Sequence, residues 1–173
     1  ANTIQNEVGP TAIIKDYLYW SGYNAGGKAN AKYEYSKEEK RSGNNSLKFV
    51  FDDDNGPGKY VTVEQTIDVK PNTTYDYGVY AKGNNVSKAT ITLADWGVRC
   101  EVPGGTYDWT EVSSSYTTGD TNKATFRIIV EGRTDSLYLD DFYVKESGTD
   151  ENIINNGDLE NIESDKYFYT DPE

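Results

Sequence analysis

Leu137-Tyr-Leu-Asp-Asp-Phe-Tyr-Val144 is the clearest strand pattern in the chain, and it contains the main anomaly of the sequence. At the two-residue period of a β-strand, Phe142 and Val144 share one face, which must lie on the core, and Asp140 shares it with them. A carboxylate in an apolar layer is destabilising unless a cation or hydrogen-bond donors satisfy it. Either backbone N–H groups of a neighbouring loop satisfy Asp140 while Asp141 is solvated, or a structural Ca²⁺ binds there. Two adjacent carboxylates at a strand centre favour the ion.

Other short segments alternate in the same way along the chain. In Leu47-Lys-Phe-Val-Phe51 the odd-numbered residues are apolar, and residues 75–82 and 124–130 follow the same two-residue period. Turn signals recur roughly every ten residues, and no segment keeps a helical period. The pattern predicts an all-β fold, a β-sandwich. We expect a jelly roll of two antiparallel sheets rather than an immunoglobulin-like topology, although the strand pattern by itself does not decide between them.

The composition excludes several classes of function. Asp and Glu number 29 against 17 Lys and Arg, a net charge of −12 that makes nucleic acid and anionic membranes poor partners. The chain has no His, so Ser-His triads and His-based zinc sites are excluded, and only carboxylate chemistry remains for an enzyme. The 15 Tyr and 3 Trp are amphipathic rings suited to a neutral polar ligand. Cys100 is the single cysteine, which rules out an internal disulfide.

The two ends of the chain resemble each other. A shift of 150 positions aligns residues 2–19 with residues 152–169 without a gap, and five of the 18 aligned positions are identical. We therefore predict that residues 1–147 form one β-sandwich module and that residues 148–173 are a linker and the start of a second, similar module. An unrelated acidic tail is the alternative. No signal peptide opens the chain, so we expect a segment of a longer, secreted or cell-surface protein.

Four stretches fall in the order and spacing seen in carbohydrate-binding modules: Gly43–Lys48, Val69–Gly83, Asp108–Ser113 and Leu137–Val144. Together they resemble the β-jelly-roll superfamily of families 4, 9, 16 and 22, over roughly residues 20–146. The resemblance implies non-catalytic binding of a plant cell-wall polysaccharide, of the β-1,4-linked glucan, xylan or mannan type, in a cleft on the concave sheet. It also implies a bacterial protein in which the module targets an appended enzyme to its substrate.

The resemblance further implies a structural Ca²⁺ away from the cleft. Its expected ligands are carboxylates and backbone carbonyls, supplied by Asp140, Asp141, Gly43, Lys48 and Glu7. The stretch Asn155-Asn-Gly-Asp-Leu-Glu160 resembles the opening strand of such a module, but its glutamate falls opposite Pro10 in the 150-residue shift. The first copy therefore lacks the family's opening glutamate, and Glu7 is the expected substitute.

The outward aromatic and charged residues are the candidates for ligand binding. Sugars present apolar C–H faces ringed by hydroxyls, so a binder needs flat rings to stack on and polar groups to pair with the hydroxyls. We expect one sheet to supply both kinds, from Trp96, Tyr80, Asp76, Arg127, Glu131, Glu64 and Arg99, and Trp20 to join them from the loop edge. We expect Trp109 to lie in the core.

Two other classes of function stay open. One is a structural or adhesin-like spacer repeat, and the other is a glycosidase with Glu64 and Glu131 as its carboxylate pair.

Overall fold

The computed structural model describes residues 13–17, 20–25, 31–51, 60–93 and 99–160, and the side chains of residues 20, 33–51, 60–93 and 99–160. Nine strands form in these ranges: β1 Ile13–Tyr17, β2 Trp20–Ala25, β3 Ala31–Ser36, β4 Ser46–Phe51, β5 Tyr60–Asp68, β6 Thr74–Thr92, β7 Cys100–Val102, β8 Gly105–Thr117 and β9 Lys123–Glu146. All their pairings are antiparallel. These ranges contain no helix long and apolar enough to cross a membrane.

Two long strands, β6 and β9, run through both layers of the fold. They pair with each other along nearly their whole length. The other edge of β9 pairs with β5 over residues 123–131 and with β4 over residues 134–139. Between these two parts the β6–β9 register shifts, and Asn85 and Gly132 have positive φ angles of 52° and 71°. Strands that pass from one sheet to another do so at such bulges and bends.

The bends divide the strands between two sheets. The first sheet has the order β1-β2-β5-β9-β6-β7, with residues 123–131 of β9 and residues 88–92 of β6. The second sheet has the order β3-β4-β9-β6-β8, with residues 134–146 of β9 and residues 74–86 of β6. The predicted all-β jelly-roll sandwich of two antiparallel sheets is confirmed.

The core lies between the sheets and is built from alternate residues of the strands. Its central side chains are at most 1% exposed: Val61, Val63, Phe126, Ile128 and Val130 from the first sheet, and Tyr77, Val79, Leu139, Phe142 and Val144 from the second. Burying each of the larger apolar side chains stabilises the fold by about 1.5–3 kcal/mol. The two-residue period therefore predicts most inward positions correctly.

A bulge in β9 changes the prediction for Asp140. Asp140 and Tyr143 are three positions apart in β9, whereas their partners Tyr80 and Gly78 are two positions apart in β6. The extra residue is Asp141, whose φ of 54° is in the left-handed region that Asp tolerates better than most residues. Because of this extra residue, Phe142 points into the core and Asp140 does not. The prediction that the two residues share the core face is wrong. Asp140 is nevertheless 0% exposed, because the loop between β3 and β4 covers it.

Two tryptophans lie where the sequence did not predict them. Trp20, an expected ligand platform, is 1% exposed, with its ring centroid 4.7 Å from that of Phe142 and 6.2 Å from that of Phe126. Its indole N–H donates to the Asn156 carbonyl oxygen at 3.1 Å, so no ligand can stack on it. Trp109, expected in the core, is only partly buried and lies on β8, which pairs with β6 alone among the described strands. Both predictions are wrong.

The chain continues along the sandwich after β9 ends. The N–H of Ile153 donates to the Val144 carbonyl oxygen at 2.9 Å, and the side chains of Ile154 and Leu159 are 6% and 1% exposed. The second module expected to begin at residue 148 stays a prediction. The residues at its predicted start pack on the present module.

Candidate functional site

Three rows of side chains cover the outer face of the first sheet. The rows run across β5, β9 and β6 and consist of Tyr60, Glu131 and Lys88; Thr62, Ile129 and Thr90; and Glu64, Arg127 and Thr92. We call these nine residues the first-sheet face. Their backbone positions alternate with core residues, so their side chains point away from the core. Four of them, Thr62, Ile129, Thr90 and Thr92, are nevertheless at most 1% exposed, so the centre of this face is closed to water.

An ion pair lies at one end of the first-sheet face. Nε of Arg127 donates to Oε1 of Glu64 at 3.0 Å, and the two side chains are 19% and 25% exposed. Salt and water screen such a partly buried pair less than a fully exposed one. The pair therefore places a guanidinium and a carboxylate together at a partly exposed position of this face.

Two buried hydroxyls flank Ile129 in the central row. Oγ1 of Thr62 and Oγ1 of Thr90 are buried, and neither has a hydrogen-bond partner among the described residues. A buried polar group without a partner costs about 1–3 kcal/mol. The central row is therefore a covered layer of Ile129 and two hydroxyls, and only the end rows of this face are open to a ligand.

The other candidates from this sheet lie towards its edges. Glu131 pairs with Lys88 at the end of the face opposite Arg127, with 3.8 Å between Oε2 and Nζ. Arg99 is exposed and directly precedes β7, the edge strand of the first sheet. Trp96 lies outside the described residues, and its role as a stacking platform stays a prediction.

Two predicted ligand residues lie on the other sheet. Asp76 and Tyr80 belong to the part of β6 before its bend, so they point outward from the second sheet. Asp76 Oδ1 accepts hydrogen bonds from the hydroxyls of Ser115 at 2.7 Å and Ser147 at 2.9 Å. The guanidinium carbon of Arg41 lies 3.5 Å from the centroid of the Tyr80 ring and covers it. The prediction that Asp76 and Tyr80 join Arg127 on one sheet is wrong, because the bend in β6 separates them.

The second sheet carries an open pocket of about 530 Å³ on its outer side. Its lining is mainly acidic. It includes two cations, Arg41 and Lys145, and five carboxylates, those of Asp76, Glu111, Asp141, Asp150 and Asp158. Burial, and then a 2.5 Å hydrogen bond from its hydroxyl to Glu111, raise the pKa of Tyr143. Lys145 Nζ lies 5.3 Å from the centroid of the same ring. Cations therefore lie over both pocket tyrosines, which makes these rings poor surfaces for stacking a neutral sugar.

Backbone N–H groups satisfy the buried carboxylate of Asp140. Oδ2 accepts from the N–H of Arg41 at 2.9 Å and of Ser42 at 3.1 Å, and Oδ1 accepts from the N–H of Asp141 at 2.8 Å. Burial is the largest effect on this group and raises its pKa from 3.8 to about 6, although these three hydrogen bonds oppose the rise. The Asp141 carboxylate, expected to be solvated if no ion is bound, pairs with the Arg41 guanidinium at 2.9 Å.

The other predicted metal ligands do not add calcium-binding oxygens in this arrangement. Lys48 pairs with Glu34 of β3 and Tyr138 of β9, so its backbone is committed to the sheet. Gly43 faces the Glu160 carboxylate, and Glu7 lies outside the described residues. Within the described ranges no three carboxylate or Cys side chains are grouped to hold a metal. The donor set fits hydrogen bonding rather than calcium coordination, and calcium binding stays a prediction.

Comparison with known proteins shows the fold. No protein-family model and no curated protein sequence matches the chain. A solved structure of TmCBM61 in complex with β-1,4-galactotriose is similar, with 19% identity and a TM-score of 0.60, over 76% of this chain and 91% of that one. The structure of the CBM22-1–GH10 modules of xylanase 10B from Clostridium thermocellum, complexed with xylohexaose, is also similar. It has 17% identity and a TM-score of 0.54, over 79% of this chain and 28% of that one. The fold is that of the β-jelly-roll carbohydrate-binding modules.

The same β-jelly-roll fold occurs within a larger protein of another kind. The enzymatically active domain of tailspike protein 4 from bacteriophage CBA120 has 14% identity and a TM-score of 0.56, over 74% of this chain. The chain spans only 19% of that domain's length. The sequence predicted that Ile129 and Thr90 point outward, but it did not predict that they and Thr62 are buried. Their burial depends on neighbouring parts of the chain and cannot be read from a two-residue period.

Proposed function

We propose that this module binds a cell-wall polysaccharide of the β-1,4-linked glucan, xylan or mannan type on the first-sheet face and does not cleave it. The observation that carries the proposal is the partly exposed Arg127–Glu64 pair on the outer side of the first sheet, in a fold shared with modules whose structures contain oligosaccharides. A guanidinium and a carboxylate are polar groups of the kind that pair with the hydroxyls of a sugar ring. Trp96 is proposed to add a stacking surface.

The two outward carboxylates on this face do not support a glycosidase. Arg127, the partner of Glu64, precedes Glu131 by four residues on β9. At about 3.3 Å per residue this separates the ends of the face by about 13 Å. Catalytic carboxylate pairs are about 5–9.5 Å apart. Glu64 and Glu131 each have a cation beside them, which suits binding rather than proton transfer.

We infer that the module belongs to a secreted or cell-surface, multimodular protein and targets an appended enzyme to its substrate. The proposal is supported by neighbours such as the xylanase of Clostridium thermocellum, in which a similar module accompanies a GH10 module. Oligosaccharides present in the related structures differ: β-1,4-galactotriose in one and xylohexaose in another. A ligand screen must therefore include galactan as well as glucan, xylan and mannan.

Affinity electrophoresis in gels containing each soluble polysaccharide tests the proposal. Because hydrogen bonds to a charged group contribute about 1.5–3 kcal/mol, Arg127→Ala should weaken binding about tenfold or more. Lys123→Ala is the matched control, since it removes the same charge from the same strand, where Lys123 only pairs with exposed Asp68. Trp96→Ala tests the predicted platform. Circular dichroism must show that each variant is folded.

The results separate this proposal from the spacer alternative. Equal retention of the parent, Arg127→Ala and Trp96→Ala on a glycan that the parent binds would place the ligand elsewhere. No retention of the parent on any polysaccharide would favour a structural or adhesin-like spacer.

A further inference from the structure

Residues 152–157 complete the free edge of β9. The Phe142 N–H donates to the Gly157 carbonyl oxygen at 2.8 Å, and the Ile153 N–H donates to the Val144 carbonyl oxygen at 2.9 Å. The side chain of Asn152 satisfies the other two groups, since its Oδ1 accepts from the Val144 N–H and its Nδ2 donates to the Phe142 carbonyl oxygen, both at 3.0 Å. This stretch therefore takes the place of a neighbouring strand.

The same segment joins the two sheets. On the first sheet, the side-chain amide of Gln65 exchanges two hydrogen bonds with the backbone of Asn155, at 2.8 and 2.9 Å, and Trp20 donates to Asn156. On the second sheet, Nδ2 of Asn156 donates to the Tyr35 hydroxyl at 3.2 Å. Leu159 is buried between them. The segment thus closes one end of the sandwich.

Glu160 fixes the end of the segment to the loop between β3 and β4. Its Oε1 and Oε2 accept from the N–H groups of Asn44 and Asn45, each at 2.9 Å. Nδ2 of Asn45 also donates to the Leu159 carbonyl oxygen at 3.2 Å. Five elements of the module therefore recognise residues 152–160: β2, β3, β5, β9 and this loop.

The earlier copy of the repeat lacks three features that this slot requires. A Cβ at Gly157 would overlap the Phe142 carbonyl oxygen, and the aligned residue is Glu7. Gly9 aligns with Leu159 and has no side chain to bury, and Pro10 aligns with Glu160 and has no carboxylate. The identical residues Asn2, Ile4 and Asn6 do not restore these features.

We propose that residues 152–160 are the closing segment of this module, and that its slot selects this copy of the repeat over residues 2–10. The sequence period then differs from the structural unit, which extends at least to residue 160 rather than ending at residue 147. If further copies follow in the full-length protein, each module is closed by the segment that follows it, and neighbouring modules are joined through that segment rather than through a free linker.

Full-length variants test the selection. Replacing Gly157, Leu159 and Glu160 by Glu, Gly and Pro, the residues of the first copy, should detach the segment. A protease specific for acidic residues should then cut faster at Asp150 and Glu151, and the indole N–H resonance of Trp20 should shift. Asn155→Gln, another residue of the first copy at an exposed position, is the control and should leave both readouts unchanged. A triple variant with unchanged protection and an unchanged Trp20 resonance would overturn the proposal.

A cut chain tests closure even if the triple variant fails to fold. A protease site inserted after exposed Thr149 allows the folded protein to be cleaved between the end of β9 and the closing segment. The fragment from residue 150 to 173 should then elute with the rest of the chain at a one-to-one ratio. It should separate only at the denaturant concentration that unfolds the whole module. Separate elution with an unchanged circular-dichroism spectrum would show that the segment is not part of the fold, and the proposal would be wrong.

Discussion

Replacing Asp140 by asparagine should remove the part of the pH dependence of stability that comes from ionisation of this buried carboxyl group. Asp140 is 0% exposed, and burial raises its pKa from 3.8 to about 6. The folded state therefore holds the proton more tightly than the unfolded chain does. Protonated Asp140 favours the fold below about pH 4, and this contribution is lost as the pH rises through 6. Asparagine has no proton to lose, so the variant does not show this change.

The size of the effect follows from the two pKa values. A gap from 3.8 to about 6 corresponds to about 3 kcal/mol between full protonation and full ionisation. Only part of this titration falls between pH 4.5 and pH 7.5, and that part changes the free energy of unfolding by about 2 kcal/mol. The free energy of unfolding of the parent should therefore fall by about 2 kcal/mol relative to that of Asp140→Asn over this range. Other titrating groups are common to both proteins and cancel in the difference.

Urea unfolding followed by circular dichroism at several pH values between 4.5 and 7.5 measures this difference. Asp120→Asn is the matched control for the same loss of charge at an exposed position. The amide of Asp140→Asn places an N–H group opposite the Asp141 N–H, but this cost is the same at every pH. A difference that does not change with pH would refute the reasoning. A change in the opposite direction would mean that the pKa is lowered, as a bound cation would lower it.

Three further predictions concern the core, the glycines and the metal. Trp20→Ala should lower the free energy of unfolding by about 3–5 kcal/mol and Trp109→Ala by about 1 kcal/mol or less, and equal losses in urea unfolding would contradict their observed burial. Gly78→Ala should cost about 1–3 kcal/mol because a Cβ would lie 2.5 Å from the Val112 carbonyl oxygen, whereas Gly119→Ala, with no atom within 4 Å, should be nearly neutral in the same assay. If hydrogen bonds alone satisfy the buried carboxylate, a chelator leaves the melting midpoint unchanged. If the module instead binds calcium, and calcium is present at a hundredfold excess over its Kd, a chelator should lower the melting midpoint by roughly 5–11 °C.

The sequence predicts features that depend on neighbouring residues. Alternation at period two identified the inward residues of β4, of residues 75–82 in β6 and of residues 124–130 in β9, because each strand exposes its two faces in turn. It did not show which sheet a face belongs to. Tyr80 and Thr90 lie on the same long strand, but the bend near Asn85 places them on different sheets. The predicted ligand set was therefore split, although each of its strand residues points outward.

Features that depend on distant residues could not be predicted in the same way. Trp20 lies in an aromatic cluster near the start of the chain, and its burial involves Asn156, which is 136 residues away. The donors to Asp140 are 98 and 99 residues away in the sequence. The sequence correctly indicated that a buried carboxylate needs partners, and it named backbone N–H groups as one possibility. Only the pairing of the strands decides which loop supplies them.

The two anomalies of the sequence, the buried carboxylate and the repeated terminal segment, meet at one short loop. The N–H groups of Arg41 and Ser42 point to Asp140, and those of Asn44 and Asn45 point to Glu160. Gly43, with a φ of 62°, lies between the two pairs and turns the chain from one carboxylate to the other. Any side chain there would overlap the Glu160 carboxylate. Because one loop holds both carboxylates, the last core strand and the closing segment are stabilised by the same few residues, and a change in this loop affects both.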